Sequence, residues 1–215
     1  MRIYYDKYLS VTSLIELKDP FNRVAFENWC QRVGKDPQVI TNTSRILGSK
    51  VSEYLDNVYR RLEWLSAPQM DKLEDNLSMG MNKFLEDWEL VNTEQEVICE
   101  ELNYAGRYDG LVRNKATGEE MLADWKTFGA YDEKPYKRNN QKIKHTKWQL
   151  TLYANATDWK GKLAVIIFKN DGDYVIEEVE FDKKIMDWVK ENQDLILRTI
   201  SNENTKNQSP KEDYS

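Results

Sequence analysis

Gly106-Arg107-Tyr108-Asp109-Gly110-Leu111-Val112-Arg113, then Asn114-Lys115-Ala116-Thr117-Gly118, then Glu119-Glu120-Met121-Leu122-Ala123-Asp124-Trp125-Lys126-Thr127, reads as one β-hairpin whose register decides the fold. Residues 111–113 and 119–122 form strands around a four-residue loop, 115–118, where Gly118 supplies the positive φ that such loops need. Asn114 then faces Glu119. Counting back places Asp109 opposite Asp124, with Cβ atoms about 4.5–5.5 Å apart. Alternation sends Asp124 and Lys126 to one face and Trp125 and Thr127 to the other. A loop one residue shorter would move Asp109 to the Trp125 face.

Two close carboxylates repel, and they are tolerated best when a hard cation such as Mg²⁺ takes oxygen from both. Such a cation polarises a phosphoryl oxygen and makes hydroxide available near neutral pH. Lys126 is placed to orient the water and offset charge growing in the transition state. The chemistry expected is phosphodiester hydrolysis. The plainer alternative is a pair of solvent-facing aspartates, with Lys126 matched to one of them as on many edge strands.

Gly106-Arg107-Tyr108-Asp109, Asp124-Trp125-Lys126-Thr127 and Gln149-Leu150-Thr151-Leu152-Tyr153 resemble, in order, the motifs of RecB-like nucleases of the PD-(D/E)xK superfamily. With Ser10-Val11-Thr12 and Leu102-Asn103-Tyr104 added, the chain is similar to the mitochondrial genome maintenance exonuclease and its phage and bacterial relatives over about residues 10–156. The resemblance implies that Asp109 and Asp124, with the backbone carbonyl of Trp125, are metal ligands and that Lys126 is the catalytic lysine. It makes Gln149 and Tyr153 a helix-borne motif supporting the site. It further implies Mg²⁺- or Mn²⁺-dependent DNA hydrolysis, exonucleolytic and preferring single-stranded ends, in replication, recombination or repair.

One family position departs from the pattern. Relatives carry a histidine after Gly-x-x-(apolar), whereas Gly48-Ser49-Lys50-Val51 is followed here by Ser52. Water, the neighbouring Glu53 or a weakly held metal are the alternatives, and Glu100 is a further candidate carboxylate. A nuclease-fold protein that binds nucleic acid or a partner protein without cutting is the competing reading.

At 215 residues, with 40% hydrophobic and 32% charged content, the chain suits one well-formed core. We expect one domain over residues 1–201, mainly helical over 1–90 and holding the catalytic sheet over 91–201, with a disordered tail at 202–215. No apolar run is long enough to span a membrane and no charged-then-apolar leader opens the chain, so the expected location is the cytoplasm of a bacterial or phage-infected cell. Cys30 and Cys99 lack paired spacing, which argues against an iron–sulfur cluster, a structural zinc or a disulfide framework.

The net charge of -6 does not suggest a DNA-binding protein, but distribution matters more than the sum. Lys134, Lys137, Arg138, Lys142, Lys144 and Lys147 run without an acid, together with His145 and flanked by Tyr131, Tyr136 and Trp148. Such a stretch suits single-stranded DNA, cations tracking phosphates and rings stacking on bases. The alternative is a solvated lysine-rich loop.

Periodicity predicts helices over 12–18, 22–33, 43–65, 68–88, 141–156 and 183–200, and strands over 1–6, 94–104, 163–168 and 174–181 besides the hairpin. Leu47, Val51, Leu55, Val58 and Leu62 form the apolar stripe of the third helix. His145, Gln149 and Tyr153 fall on one face of the fifth. The fold class expected is mixed α/β: a restriction-endonuclease-like core, with a mixed sheet flanked by helices and an N-terminal helical portion.

Overall fold

The computed structural model describes residues 1–32, 34–60, 72–128 and 140–208. Among these, seven strands form one mixed sheet: β1 (Ile3–Tyr4), β2 (Tyr8–Ser10), β3 (Trp88–Cys99), β4 (Tyr104–Asn114), β5 (Glu120–Phe128), β6 (Lys162–Lys169) and β7 (Tyr174–Val179). The strand path is β1-β2-β4-β5-β6-β7, with β3 paired to β4 off that path. The helices are α1 (Val11–Lys18), α2 (Arg23–Arg32), α3 (Pro37–Tyr59), α4 (Lys72–Asp87), α5 (Asn140–Ala156), α6 (Lys183–Glu191) and α7 (Gln193–Gln208).

β6 shows how the layers assemble. Its run Leu163-Ala164-Val165-Ile166-Ile167-Phe168 is buried throughout, as a central strand covered on both faces must be. Leu163, Val165 and Ile167 join a cluster with Leu14 of α1, Leu150 and Tyr153 of α5, Ile185 of α6 and Ile196 of α7. Ala164, Ile166 and Phe168 face the other way, toward Leu47, Val51 and Leu55 of α3 and Leu77, Met81 and Phe84 of α4. Phe84 centres this second layer, its ring 5.5–6.1 Å from those of Trp88, Trp125, Phe168 and Tyr174.

The hairpin register is the expected one. Gly110↔Ala123 through Arg113↔Glu120 are paired, the Asn114 amide donates to the Glu119 carbonyl at 2.8 Å, and Gly118 has φ 73°. What the sequence does not reveal is that the ladder stops at Gly110. β3 takes one edge of β4 from Cys99↔Tyr104 to Trp88↔Asn114. The other edge is shared, with β2 pairing in parallel at Tyr104 and Ala105 and β5 antiparallel at residues 110–113. Residues 106–109 pair with neither, so the sheet forks there.

Several boundaries differ from expectation. α3 starts at Pro37 rather than near residue 43, because the Asp36 carboxylate accepts the amides of Gln38 and Val39 at 2.7 and 3.2 Å and Pro37 suits the first turn. Its stripe leaves the core after Leu55, so Val58 is 39% exposed; Leu62 lies outside the described residues, as does the expected helix start at Pro68. Trp88 opens β3 instead of closing α4, and residues 100–103 form a tight turn with Asn103 at φ 55° where a continuous strand was expected. The last helix breaks at Asn192, which caps α6, and α7 then runs to Gln208. Residues 202–208, expected to be disordered, are therefore helical; Asn204 donates to the Asp6 carbonyl at 2.8 Å. Residues 209–215 lie outside the described residues.

Gly110 reports on the packing beneath the site. A Cβ there would sit 2.4 and 2.8 Å from two carbons of the Trp125 ring, too close for either to yield cheaply. Gly110→Ala should cost about 1–3 kcal/mol by overpacking, read as a lowered urea midpoint, and Trp125→Phe should recover part of that loss in the double variant.

Candidate active site

The fork between β4 and β5 gathers the acidic residues. Asp124 is 3% exposed and its Oδ2 is ion-paired with the Lys126 ammonium. Past the end of the ladder the Trp125 amide lacks a strand partner and donates instead to Asp109 Oδ2 at 2.7 Å. Asp109 thus spans the fork as a side-chain substitute for a ladder hydrogen bond. Trp125 points away, into the aromatic layer around Phe84.

β4 must turn over for this to work. A Cβ on Gly106 would meet Tyr153 at 2.6 Å and Val11 at 3.1 Å, in the α1 and α5 layer, whereas Gly110 abuts Trp125 in the α3 and α4 layer. Residues four apart on a regular strand share a face, so the ribbon rotates between them. Opposite the rotation, between the pairs Gln95↔Tyr108 and Thr93↔Gly110, Glu94 adopts φ 50°. The two glycines are thus explained by close approach, Gly106 beneath Tyr153 and Gly110 beneath Trp125.

Electrostatics at the fork are those of an unbalanced acid pair. Burial, and then the charge of Asp124, push the Asp109 carboxyl up to about 8, against the pull of Lys126 and the Trp125 amide. Burial favours the neutral amine of Lys126, but the charges of Asp124 and Asp109 outweigh it and raise its pKa. Tyr153 is 4% exposed, and burial followed by the two aspartates drives its hydroxyl well above the ordinary value. One lysine does not neutralise two desolvated carboxylates. The donor set, hard oxygens from Asp109 and Asp124 with the Trp125 carbonyl beside Asp124 on β5, would suit Mg²⁺ or Mn²⁺, which keep several waters of their own.

Two residues at the site were not read as part of it. Lys142 was expected to bind a nucleic-acid strand. It instead reaches inward from α5 to donate to the Thr127 carbonyl at 3.2 Å, and burial, then the charge of Lys126, lower its pKa to about 8. Seven residues before Gln149, it shares a helix face with that residue, a spacing that could have flagged it. Glu94, paired with Arg107 at 2.7 Å, adds its charge to those that raise Asp109 and Tyr153. Only the strand register brings Glu94 there.

The remaining expected residues are distributed as follows. Gln149 is half-buried on α5, one turn before Tyr153. His145 Nε2 donates to Asp19 Oδ2 at 2.9 Å, which also accepts from Lys144 at 2.8 Å, and its ring stacks on Trp148. Lys147 lies 3.8 Å from Asp182. Lys134, Lys137 and Arg138 lie outside the described residues. Ser52 is half-buried and Glu53 exposed on α3, and neither is among the groups that shift Asp109, Lys126 or Tyr153. Glu100 sits in the β3–β4 turn, at the opposite end of that hairpin from Gly110. Among the described residues no three His, Cys, Asp or Glu side chains converge as a metal cage. No described helix is long and apolar enough to cross a membrane.

No family model and no curated protein matches this sequence. Solved structures do match. A protein from Eubacterium rectale assigned by name as an exonuclease aligns over 94% of this chain and 88% of its own, with a TM-score of 0.54 at 12% identity. A phage-related exonuclease from Haemophilus somnus 129PT aligns over 93% and 96%, with a TM-score of 0.47 at 12% identity. An alkaline exonuclease from Laribacter hongkongensis, also solved in complex with dAMP, aligns over 91% and 89%, with a TM-score of 0.44 at 10% identity. The chain therefore shares the fold of the Eubacterium rectale protein, a likeness of architecture alone at that identity.

Because the Asp109 carboxyl titrates near 8, it holds a proton below that pH and a cation must displace it. Mn²⁺ affinity measured by calorimetry should therefore be highest above pH 8 and fall by up to about tenfold per unit below it. Asp109→Asn should weaken binding and flatten this slope. A wild-type affinity that rises as pH falls would contradict the assignment.

Proposed function

We propose that this chain is a Mg²⁺- or Mn²⁺-dependent nuclease of the RecB-like, PD-(D/E)xK kind, hydrolysing DNA from single-stranded ends. The observation that carries the reading is the pair of aspartates at the strand fork, Asp124 buried and Asp109 half-buried, under-neutralised by Lys126. The ordered resemblance of the three motifs agrees with it, and so does the fold shared with a protein assigned as an exonuclease.

Hydrolysis adds water across one P–O bond: the water oxygen joins phosphorus, one ester oxygen leaves, and that oxygen takes up a proton. A divalent cation, when bound by Asp109, Asp124 and the Trp125 carbonyl, supplies positive charge beside the phosphate and acidifies water. Lys126, fixed by Asp124, orients the attacking water and offsets charge on the equatorial oxygens. Lys142 brings a second ammonium to the same side of the sheet, where it stabilises that charge further. Tyr153, set down against Gly106, walls the site from the α5 layer and keeps bulk water off the acids. Residues 1–201 act as the catalytic unit in this reading, with Ser52 leaving a coordination place to water.

Single-stranded DNA labelled at the 5′ or the 3′ end should be shortened with Mg²⁺ or Mn²⁺, and Asp124→Ala or Lys126→Ala should stop it. Undiminished cutting by those variants would refute the site. A protein that binds Mn²⁺ and DNA without cutting would favour the non-cutting alternative. Lys142→Met should lower kcat by about 10²-fold, as for loss of one preorganised transition-state donor, while leaving the Mn²⁺ affinity within about twofold.

A further inference from the structure

α2 carries an aromatic row that the chemistry above does not use. The rings of Phe21 and Phe26 are 5.4 Å apart, and those of Phe26 and Trp29 are 6.0 Å apart and within 28° of parallel. Phe21 is 61% exposed and Val24 68% exposed, while Cys30 is the buried residue of this helix. Phe26 and Trp29 are half-buried, so the row offers solvent the Phe21 ring and part of the other two, and a partly exposed aromatic cluster can mark a binding surface.

The surrounding charge says what would bind. Residues 21–50 hold Arg23, Arg32, Lys35, Arg45 and Lys50 against Glu27 and Asp36, a basic segment within a chain of net charge -6. A polyanion that also offers flat apolar faces suits both features, and that is a single nucleic-acid strand; a duplex keeps its base faces stacked inside. The chain ties the row to α5. Asp19, at the end of α1, is held by Lys144 and His145 of α5, and Phe21 follows two residues later. The same helix α5 carries Lys142 and Tyr153 to the fork.

We propose that Phe21, Phe26 and Trp29 form a stacking platform for the bases of a single strand, with the cations of residues 21–50 on its phosphates, leading that strand toward Asp109 and Asp124. The platform rests on the nuclease reading for its role, but it has its own assay. Fluorescence anisotropy on the full chain carrying Asp124→Asn would compare fluorescein-labelled oligothymidylate with an equally long abasic strand, which keeps the phosphates and lacks the bases. The expected preference for the base-bearing strand is about tenfold or more. Phe21→Ala with Trp29→Ala should bring that ratio near one while leaving abasic-strand affinity unchanged, and Trp29→Phe alone should retain the preference, with the melting temperature of each variant checking that it is folded. A ratio untouched by the double alanine variant, or an equal loss for both strands, overturns the platform. Failure of the unsubstituted chain to cut end-labelled DNA overturns the nuclease reading instead, in a separate measurement.

Discussion

Everything at the fork follows from crowding a buried and a half-buried carboxylate together, with the Lys126 ammonium paired to the buried one. Burial disfavours the second negative charge by enough to hold Asp109 protonated near neutral pH when nothing else neutralises it. A fold that only needed stability would place two neutral groups there. The arrangement instead holds a standing demand for positive charge, which in the proposed reading a divalent cation would meet, and the protein commits its backbone to keeping that demand in place. β4 and β5 separate just where continued pairing would have occupied the Trp125 amide, and Asp109 takes that amide as its own anchor.

The two faces of the sheet divide the work. On one face Trp125, Phe84, Phe168 and Trp88 form a rigid aromatic layer under α3 and α4, so the strand bearing Asp124 and Lys126 is anchored by the residue between them. On the other face α5 lays Tyr153 and Lys142 over the fork. Close packing transmits misplacement on the first face to the second, because a shifted Trp125 moves both of its neighbours. This is why Gly110, which makes no polar contact with the acids, still belongs to their geometry.

Local arithmetic recovered the hairpin: Gly118 fixed the loop, the loop fixed the register, and the register brought Asp109 to Asp124. The helices carrying strong stripes, such as Leu47, Val51 and Leu55, were equally legible. Non-local features were not. Glu94 reaches the site because the turn at residues 100–103 sets the register of β3 on β4, and that turn interrupts what reads in the sequence as one continuous strand. Lys142 looked like one more cation in a basic run because its inward orientation depends on how α5 crosses the sheet. The start of α3 at Asp36-Pro37 was legible in principle, since both the cap and the proline were present, but the apolar stripe drew attention further along. Trp88 misled for a related reason: it continues the helical spacing of Phe84, yet its backbone already pairs with Asn114.

The acidic balance of the chain poses the remaining physical question, and ion pairing answers it. Several cations that could meet a phosphate already touch carboxylates: Lys144 and His145 share Asp19, and Lys147 lies near Asp182. Partly exposed pairs of this sort contribute about 0–1 kcal/mol, so an incoming phosphate competes with them at little cost. The acids then act as placeholders that keep the lysines ordered in the empty protein. The price is discrimination, since a surface whose cations are half-spent binds any polyanion weakly. In the proposed reading, preference for an unpaired strand has to come from contacts that phosphates cannot make, and the partly exposed rings of Phe21, Phe26 and Trp29 on a basic segment are the candidates for them.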